Sequence, residues 1–233
     1  GNIGWRPAIH IPLRREGFTM VPRPGENPDY DWKGKIPYNQ MPFLYNPQEG
    51  FISTANNKIS DNSFPYYISG LWADPSRAKR IKKVLGEPGK KFGVEEMKKL
   101  QLDYTSEFGL EILNDLKKYK IKLKDPGQDR ILKRLYAWDG VEDVNSIGAT
   151  LFHYFIRELV VNLFKDEFVL LGDSFFKEYQ ALNYIKDRKL REVVKGNRIS
   201  WVDNIETKDK VEKIEDILIK SLSDMTINIR KEL

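Results

Sequence analysis

The chain has 233 residues, 40% of them apolar, with 39 basic and 34 acidic side chains and a formal net charge of +5 at neutral pH. This suffices for a sizeable core in one large domain or two modest ones, and a mild, interspersed positive excess argues little for a nucleic-acid partner. Cysteine is absent and the two histidines, His10 and His153, lie far apart, which excludes disulfides, thiolate metal sites and Cys nucleophiles and leaves Ser-His-Asp or His-rich metal chemistry poorly supplied.

No apolar run reaches membrane-spanning length: the longest candidate, IGATLFHYFIRELVVNLF, carries His153, Arg157 and Glu158. The chain opens abruptly on GNIGW without an initiator Met or a signal peptide, and it reads as an internal piece of a longer polypeptide.

Two textures follow one another, residues 1–72 and residues 73–233. The first is rich in Pro, Gly, Asn and aromatics with short strand-like runs. IGWRPAIHI alternates, with Ile3, Trp5, Ile9 and Ile11 on one side and Arg6 and His10 on the other, and predicts a strand. RPGENPDYDWKGKIP is a turn-rich loop. PFLY and FISTA flank the turn NPQEG, closed by Gly50, and predict a hairpin. Strand alternation then places Asn56 on the face of Ile52 and Thr54, at the strand's end, while Asn57 is a turn or structural hydrogen-bonding residue.

The second texture is helical. Asp74-Pro75 supplies an N-cap with Pro at the first helical position, and Gly86 follows the last apolar residue. A helix from Val94, with Met97, Tyr104 and Phe108 on one stripe, continues or restarts through Leu113, Leu116 and Tyr119. DPGQDRILKRLYAWDG repeats the Asp-Pro start and ends on Asp139-Gly140, and the apolar segment after Ser146 predicts a buried helix in which His153 is a core histidine. Further helices are predicted from Phe176 to Val194 and from Asp209 to Arg230, for about five to seven in all.

No GxSxG, GxxxxGK[ST], HExxH or GxGxxG motif occurs, and GEPGKKFG fails the phosphate-loop spacing and reads as an interhelical loop. The informative residues gather where the textures meet. On a wheel of about 100° per residue from Pro75, Ala78, Ile81, Val84 and Leu85 form an apolar arc. Arg77 falls inside it, whereas Lys79, Arg80, Lys82 and Lys83 fall outside. An inward guanidinium must be paired or hydrogen-bonded, so Arg77 is either a structural ion-pair partner or a site residue.

Taken in order, GNIGW, RRE, VPRPGENPDYDWKGKIPYNQMP, YNPQEGFISTANN, LWADPSRAKRI, LQLDYTSEF and LYAWDG resemble the β-chain of the penicillin acylases, which are N-terminal-nucleophile hydrolases of linear amides. The resemblance covers most of the chain and is strongest from Gly1 to Ser106. It implies an α+β fold, a sheet-layer segment followed by a mainly helical domain. It also implies acyl transfer to a Ser freed at the β-chain's N-terminus, with that residue's own α-amino group as base. That nucleophile would lie upstream of Gly1, and the isolated fragment would be inert. The implied catalytic residues are Asn56, as side-chain donor of the oxyanion hole, and Arg77, which orients the amine and polar substrate groups.

The implied partners are an acyl-amide small molecule and the rest of the polypeptide (the α-chain and the remaining β-chain), with no nucleic acid and no membrane; the implied compartment is extracytoplasmic. Many relatives bind a structural calcium through a carboxylate between the Asn and the Arg. FPYYISG supplies none, Asp61 is the nearest substitute, and no cofactor or calcium site of that kind is expected. Gln101 and Asp103 are expected to tie a helix to its loops. Tyr38, Phe43, Tyr45, Tyr66 and Tyr67 are expected in core packing rather than an acyl pocket. Two other readings stay open: an acyl-homoserine-lactone or cephalosporin-type acylase, and a non-catalytic helical binding module.

Overall fold

The computed structural model describes residues 1–14, 21–168, 171–197 and 199–232. Arg15 and Glu16 of the RRE element lie outside them. The architecture is α+β, and the chain divides into two compact units, Gly1–Gln101 and Leu102–Leu233. The change of texture at residue 72 falls inside the first unit.

Unit 1 holds two small antiparallel pairs. β1 (Gly4–Trp5) pairs with β4 (Leu44–Tyr45), and β2 (Pro12–Arg14) pairs with β3 (Trp32–Lys35). The alternating run IGWRPAIHI is therefore not one strand. Pro7 removes a ladder donor, β1 and β2 belong to different sheets, and Ile9 is 62% exposed while Ile11 is buried. The expected hairpin also fails: β4 takes β1 as its partner, and Phe51–Thr54 carries no strand. Ile11, Ile36 and Met41 form a small core, flanked by Leu13, Phe64, Tyr66 and Ile68. Tyr38, Phe43 and Tyr45 do not join it. They are exposed, with the Arg6 guanidinium 4.6 Å from the Tyr38 ring centre and 5.0 Å from that of Phe43.

Two helices complete unit 1. α1 spans Ser76–Leu85 and ends on Gly86. Pro75 stands one residue before the helix, and the Asp74 carboxylate accepts the Ser76 N–H at 2.9 Å, so Asp74 does the capping. α2 (Val94–Gln101) buries no residue, and Val94, Met97 and Tyr104 are exposed, so the expected stripe is not a core face. The chain breaks after Gln101 and restarts as a new helix. Asp103 accepts the Thr105 N–H at 2.9 Å in the connection.

Unit 2 is helical: α3 (Glu107–Leu116), α4 (Pro126–Tyr136), α5 (Ile147–Phe164), α6 (Asp173–Ala181), α7 (Asn183–Val194) and α8 (Ile214–Glu232). With α1 and α2 this makes eight α-helices among the described residues, above the expected range. The segment expected as one helix from Phe176 is two, broken at Leu182 (ψ +67°), and the last helix starts at Ile214 instead of Asp209. Ser106, Asp125 and Ser146 cap α3, α4 and α5 through side-chain oxygens that accept from Gly109, Gly127 and Ala149.

α5 is the central element and packs against α4 and α8. Its 18 residues have a mean hydropathy of 1.2, so by length and composition it does reach the membrane-spanning range, contrary to the sequence expectation. Phe152, Phe155, Leu159, Leu163 and Phe164 face a protein core here. His153 corrects another expectation. Its side chain is 64% exposed and its Nε2 lies 2.8 Å from Glu142, so it is a surface residue one position from a core phenylalanine.

Trp138 of LYAWDG organises one end of this core. Its ring stacks on Phe152 with centres 4.8 Å apart, and its Nε1 donates to the Val141 carbonyl at 3.0 Å. Two glycines permit this. A Cβ on Gly109 would stand 2.6 Å from the Trp138 ring, and one on Gly148 would stand equally close. Tyr136 is buried at its hydroxyl, which has no partner, and burial raises its pKa to about 12.

Gly109→Ala gains up to about 1 kcal/mol of helix propensity but drives its methyl into the stacked rings. It is expected to lower stability by about 1–3 kcal/mol, read as a lower urea midpoint at unchanged m. Tyr136 keeps its proton when folded and loses it near pH 10 when unfolded, so the unfolded chain binds fewer protons above that value and stability falls as pH rises toward 12. Tyr136→Phe removes an unsatisfied hydroxyl and keeps the ring. It is expected to flatten that alkaline decline without lowering stability at pH 7 in parallel melts.

Candidate active site

The site grows from a break in extended backbone. Asn56 has φ +58°, in the left-handed region that Asn tolerates better than most residues. Alternation from Ile52 and Thr54 therefore stops before it, and its side-chain direction is set by this local turn. Three contacts hold the turn. The Asn56 carbonyl accepts the Ala73 N–H at 3.0 Å, which ties the loop to the residue preceding Asp74. Asn57 Oδ1 accepts the Ala55 N–H at 3.0 Å, and Asn57 Nδ2 donates to the Lys58 carbonyl at 3.0 Å. Ala55 and Ala73 are both buried beneath it.

Arg77 closes the arrangement from α1. Its Nη2 donates to the Ala55 carbonyl at 3.1 Å and to Asn56 Oδ1 at 3.0 Å. The structure thus brings Asn56 and Arg77 together. It corrects the expectation of an inward, buried arginine: Arg77 is exposed as a residue and reaches sideways from the helix's first turn to the loop. The helix wheel identified the correct side of the helix but overstated the depth. An arginine carries donors alone, so the Asn56 atom facing it is the carbonyl oxygen and the amide nitrogen points away. That Nδ2 has no hydrogen-bond partner among the described residues. What results is a neutral donor, fixed through its oxygen and free at its nitrogen.

Sequence reasoning missed the supports. Asp74 starts the helix that carries Arg77, and the Ala73 amide anchors Asn56; the signal for the first lay in the Asp-Pro-Ser run. Nothing in the residue pattern marks the left-handed backbone except the Asn pair itself. The loop between Asn56 and Arg77 walls a cleft of about 380 Å³, lined by Lys58, Asp61, Tyr66, Tyr67 and Trp72. Asp61 Oδ1 already accepts the Ser63 N–H at 2.8 Å and the Ser63 hydroxyl at 2.6 Å, contacts that hold its pKa below the usual carboxylate value. No group of three or more His, Asp or Glu side chains among the described residues is placed to hold a metal ion.

With this geometry in place, comparison with known proteins defines the class. The family model for penicillin amidase matches residues 1–233, and the chain belongs to that family. An acyl-homoserine lactone acylase QuiP of Pseudomonas syringae pv. syringae (strain B728a) is 29% identical over 200 residues, covering 78% of this chain and 23% of that protein. A penicillin acylase 2 proenzyme of Pseudomonas sp. (strain SE83) is 29% identical over 160 residues, covering 68% of this chain and 20% of that one. The chain therefore spans about a quarter or less of the length of these relatives. A thermostable penicillin G acylase from Alcaligenes faecalis has the same fold, with TM-score 0.73 at 18% identity, covering 100% of this chain and 45% of that one.

Arg77→Ala leaves Asn56 Oδ1 and the Ala55 carbonyl without their donor. The loop then opens more often, and the Ala73 amide, which donates to Asn56, is expected to exchange hydrogen about tenfold faster while core amides of α5 keep their protection. Unchanged Ala73 exchange would show that Arg77 does not hold this loop.

Proposed function

We propose that this chain carries the oxyanion-stabilising and positioning residues of an amidohydrolase that cleaves linear acyl amides by acyl transfer to an upstream N-terminal Ser. The observation that carries the reading is the fixed orientation of the Asn56 amide, its oxygen held by Arg77 and its nitrogen free. As a nucleophile adds to an amide carbon, the carbonyl oxygen becomes negative. A preoriented neutral donor stabilises that charge without needing a counter-ion and without reorganising during the step.

Arg77 has a second part in this reading. Its positive charge disfavours protonation of a nearby amine, which keeps the nucleophile's own α-amino group available as base. The acyl-enzyme is then hydrolysed by water through the same oxyanion site. Family membership and the acylase names of the relatives support this assignment. The partner is the rest of the polypeptide. The exposed Tyr38, Phe43, Leu44 and Tyr45 around a two-residue edge strand offer it an apolar surface and open ladder groups.

The acyl-homoserine lactone acylases at 29 and 30% identity over 78% of the chain favour a second reading of the substrate, an acyl-homoserine lactone instead of a penicillin. Release of free amine from penicillin G and from an acyl-homoserine lactone by the full-length enzyme separates the two. On the better substrate Asn56→Ala is expected to lower kcat about 10²- to 10³-fold with KM little changed. The 233-residue chain alone is expected to turn over neither. Wild-type kcat in the Asn56→Ala enzyme would remove the oxyanion assignment.

A further inference from the structure

The geometry points to Asn57 as a positioning residue that acts through Asn56. The inference rests on the oxyanion reading of Asn56 and assigns a job to the second amide of the pair. Each polar atom of the Asn57 side chain is committed to backbone, and the two bonds lie on opposite sides of Asn56. Oδ1 accepts the Ala55 N–H at 3.0 Å, and Nδ2 donates to the Lys58 carbonyl at 3.0 Å. The assignment of these two atoms is chemically forced, since an N–H needs an acceptor and a carbonyl needs a donor.

The consequence is a clamp on the residue before Asn56. Ala55 is held at its N–H by Asn57 and at its carbonyl by Arg77, while the Asn56 carbonyl is held by Ala73. The backbone on both sides of a left-handed φ of +58° is therefore pinned. Such a conformation costs on the order of 1–3 kcal/mol for a non-glycine residue and persists only when its surroundings enforce it. Without the Asn57 clamp, the loop relaxes toward ordinary backbone and the Asn56 amide swings away from its working direction. Asn57 Nδ2 spends one of its two N–H groups on the Lys58 carbonyl while Oδ1 holds Ala55, so both side-chain atoms are turned to the loop backbone, which suits a positioning residue rather than a second oxyanion donor.

The test is a double-mutant cycle in the full-length enzyme, with kcat and KM measured on the better substrate and active sites titrated so that each kcat refers to competent enzyme. Asn57→Ala alone is expected to lower kcat about 10- to 100-fold with KM little changed, the scale of loss from a misplaced catalytic group. In the Asn56→Ala background, the same substitution is expected to change kcat less than about twofold, because the group it positions is gone. If Asn57→Ala does not yield folded enzyme, Asn57→Ser serves: its hydroxyl oxygen can accept from Ala55, it gives up the amide donor to Lys58, and it adds no charge beside the oxyanion site, so the same cycle applies.

A full Asn57 effect persisting in the Asn56→Ala background would overturn the inference, as would a variant with wild-type kcat per active site and only a lower melting temperature. Failure of the underlying reading is distinct, because it appears as wild-type kcat in Asn56→Ala alone.

Discussion

The guanidinium of Arg77 carries donors and no acceptors, so the Asn56 atom that faces it must be the amide oxygen. From that one constraint follows the direction of the free amide nitrogen, on which the proposed oxyanion role rests. The contact spans 21 residues of sequence at 3.0 Å and needs two conditions: a helix that starts at the right residue and a loop that turns at the right one. Asp74 provides the first by capping α1, and the left-handed Asn56 provides the second. A lysine at position 77 would keep the charge but not the geometry, since Arg77 meets both oxygens with the two fixed in-plane N–H groups of one nitrogen, Nη2, whereas an ammonium turns freely on a flexible stem.

The two units reach stability by different means. Unit 2 is a conventional helical core in which Trp138, Phe152 and the glycines beneath the indole pack at close range. Unit 1 buries three apolar residues in its small core and leaves Tyr38, Phe43 and Tyr45 in the open. Side-chain hydrogen bonds to backbone order its loops, Asn46 accepting the Ile3 N–H, Asn57 holding the Ala55 N–H and Arg77 the Ala55 carbonyl, and a side-chain bond from Arg77 fixes the Asn56 amide. A loop-built site of this kind is set by directional contacts more than by burial, which suits a group that must hold one orientation while staying accessible.

Much of the helical half is readable from residues because its signals are local. Asp-Pro starts, Ser caps and terminal glycines act within a turn, and α1, α4 and α5 begin within a residue or so of where those signals put them; α1 also stops at Gly86, while α4 stops at Tyr136, short of the expected Asp139-Gly140. The break at Leu182 has no Gly or Pro to announce it, so α6 and α7 read as one. His153 shows the limit of composition: an apolar helix still has an outer face, and a residue next to Phe152 lies about 100° round from it.

The strands are less readable for a different reason. FISTA has strand propensity, but a strand also needs a partner, and β4 finds its partner at Gly4–Trp5, some forty residues earlier in the chain. At the site, the pattern of residues brings Asn56 and Arg77 into view as a pair. It does not reveal the left-handed turn or the clamp from Asn57, because both depend on hydrogen bonds between backbone groups that every residue carries.

In the proposed mechanism the Asn56 nitrogen is aimed at the place where negative charge develops. The most direct measurement is a crystal structure of the full-length enzyme with a phosphonate covalently trapped on the nucleophile as a tetrahedral mimic. Asn56 Nδ2 is expected about 2.7–3.1 Å from the phosphonyl oxygen, with Asn56 Oδ1 still accepting from Arg77. An Asn56 amide turned away from that oxygen, or separated from it by ordered water, would contradict that mechanism.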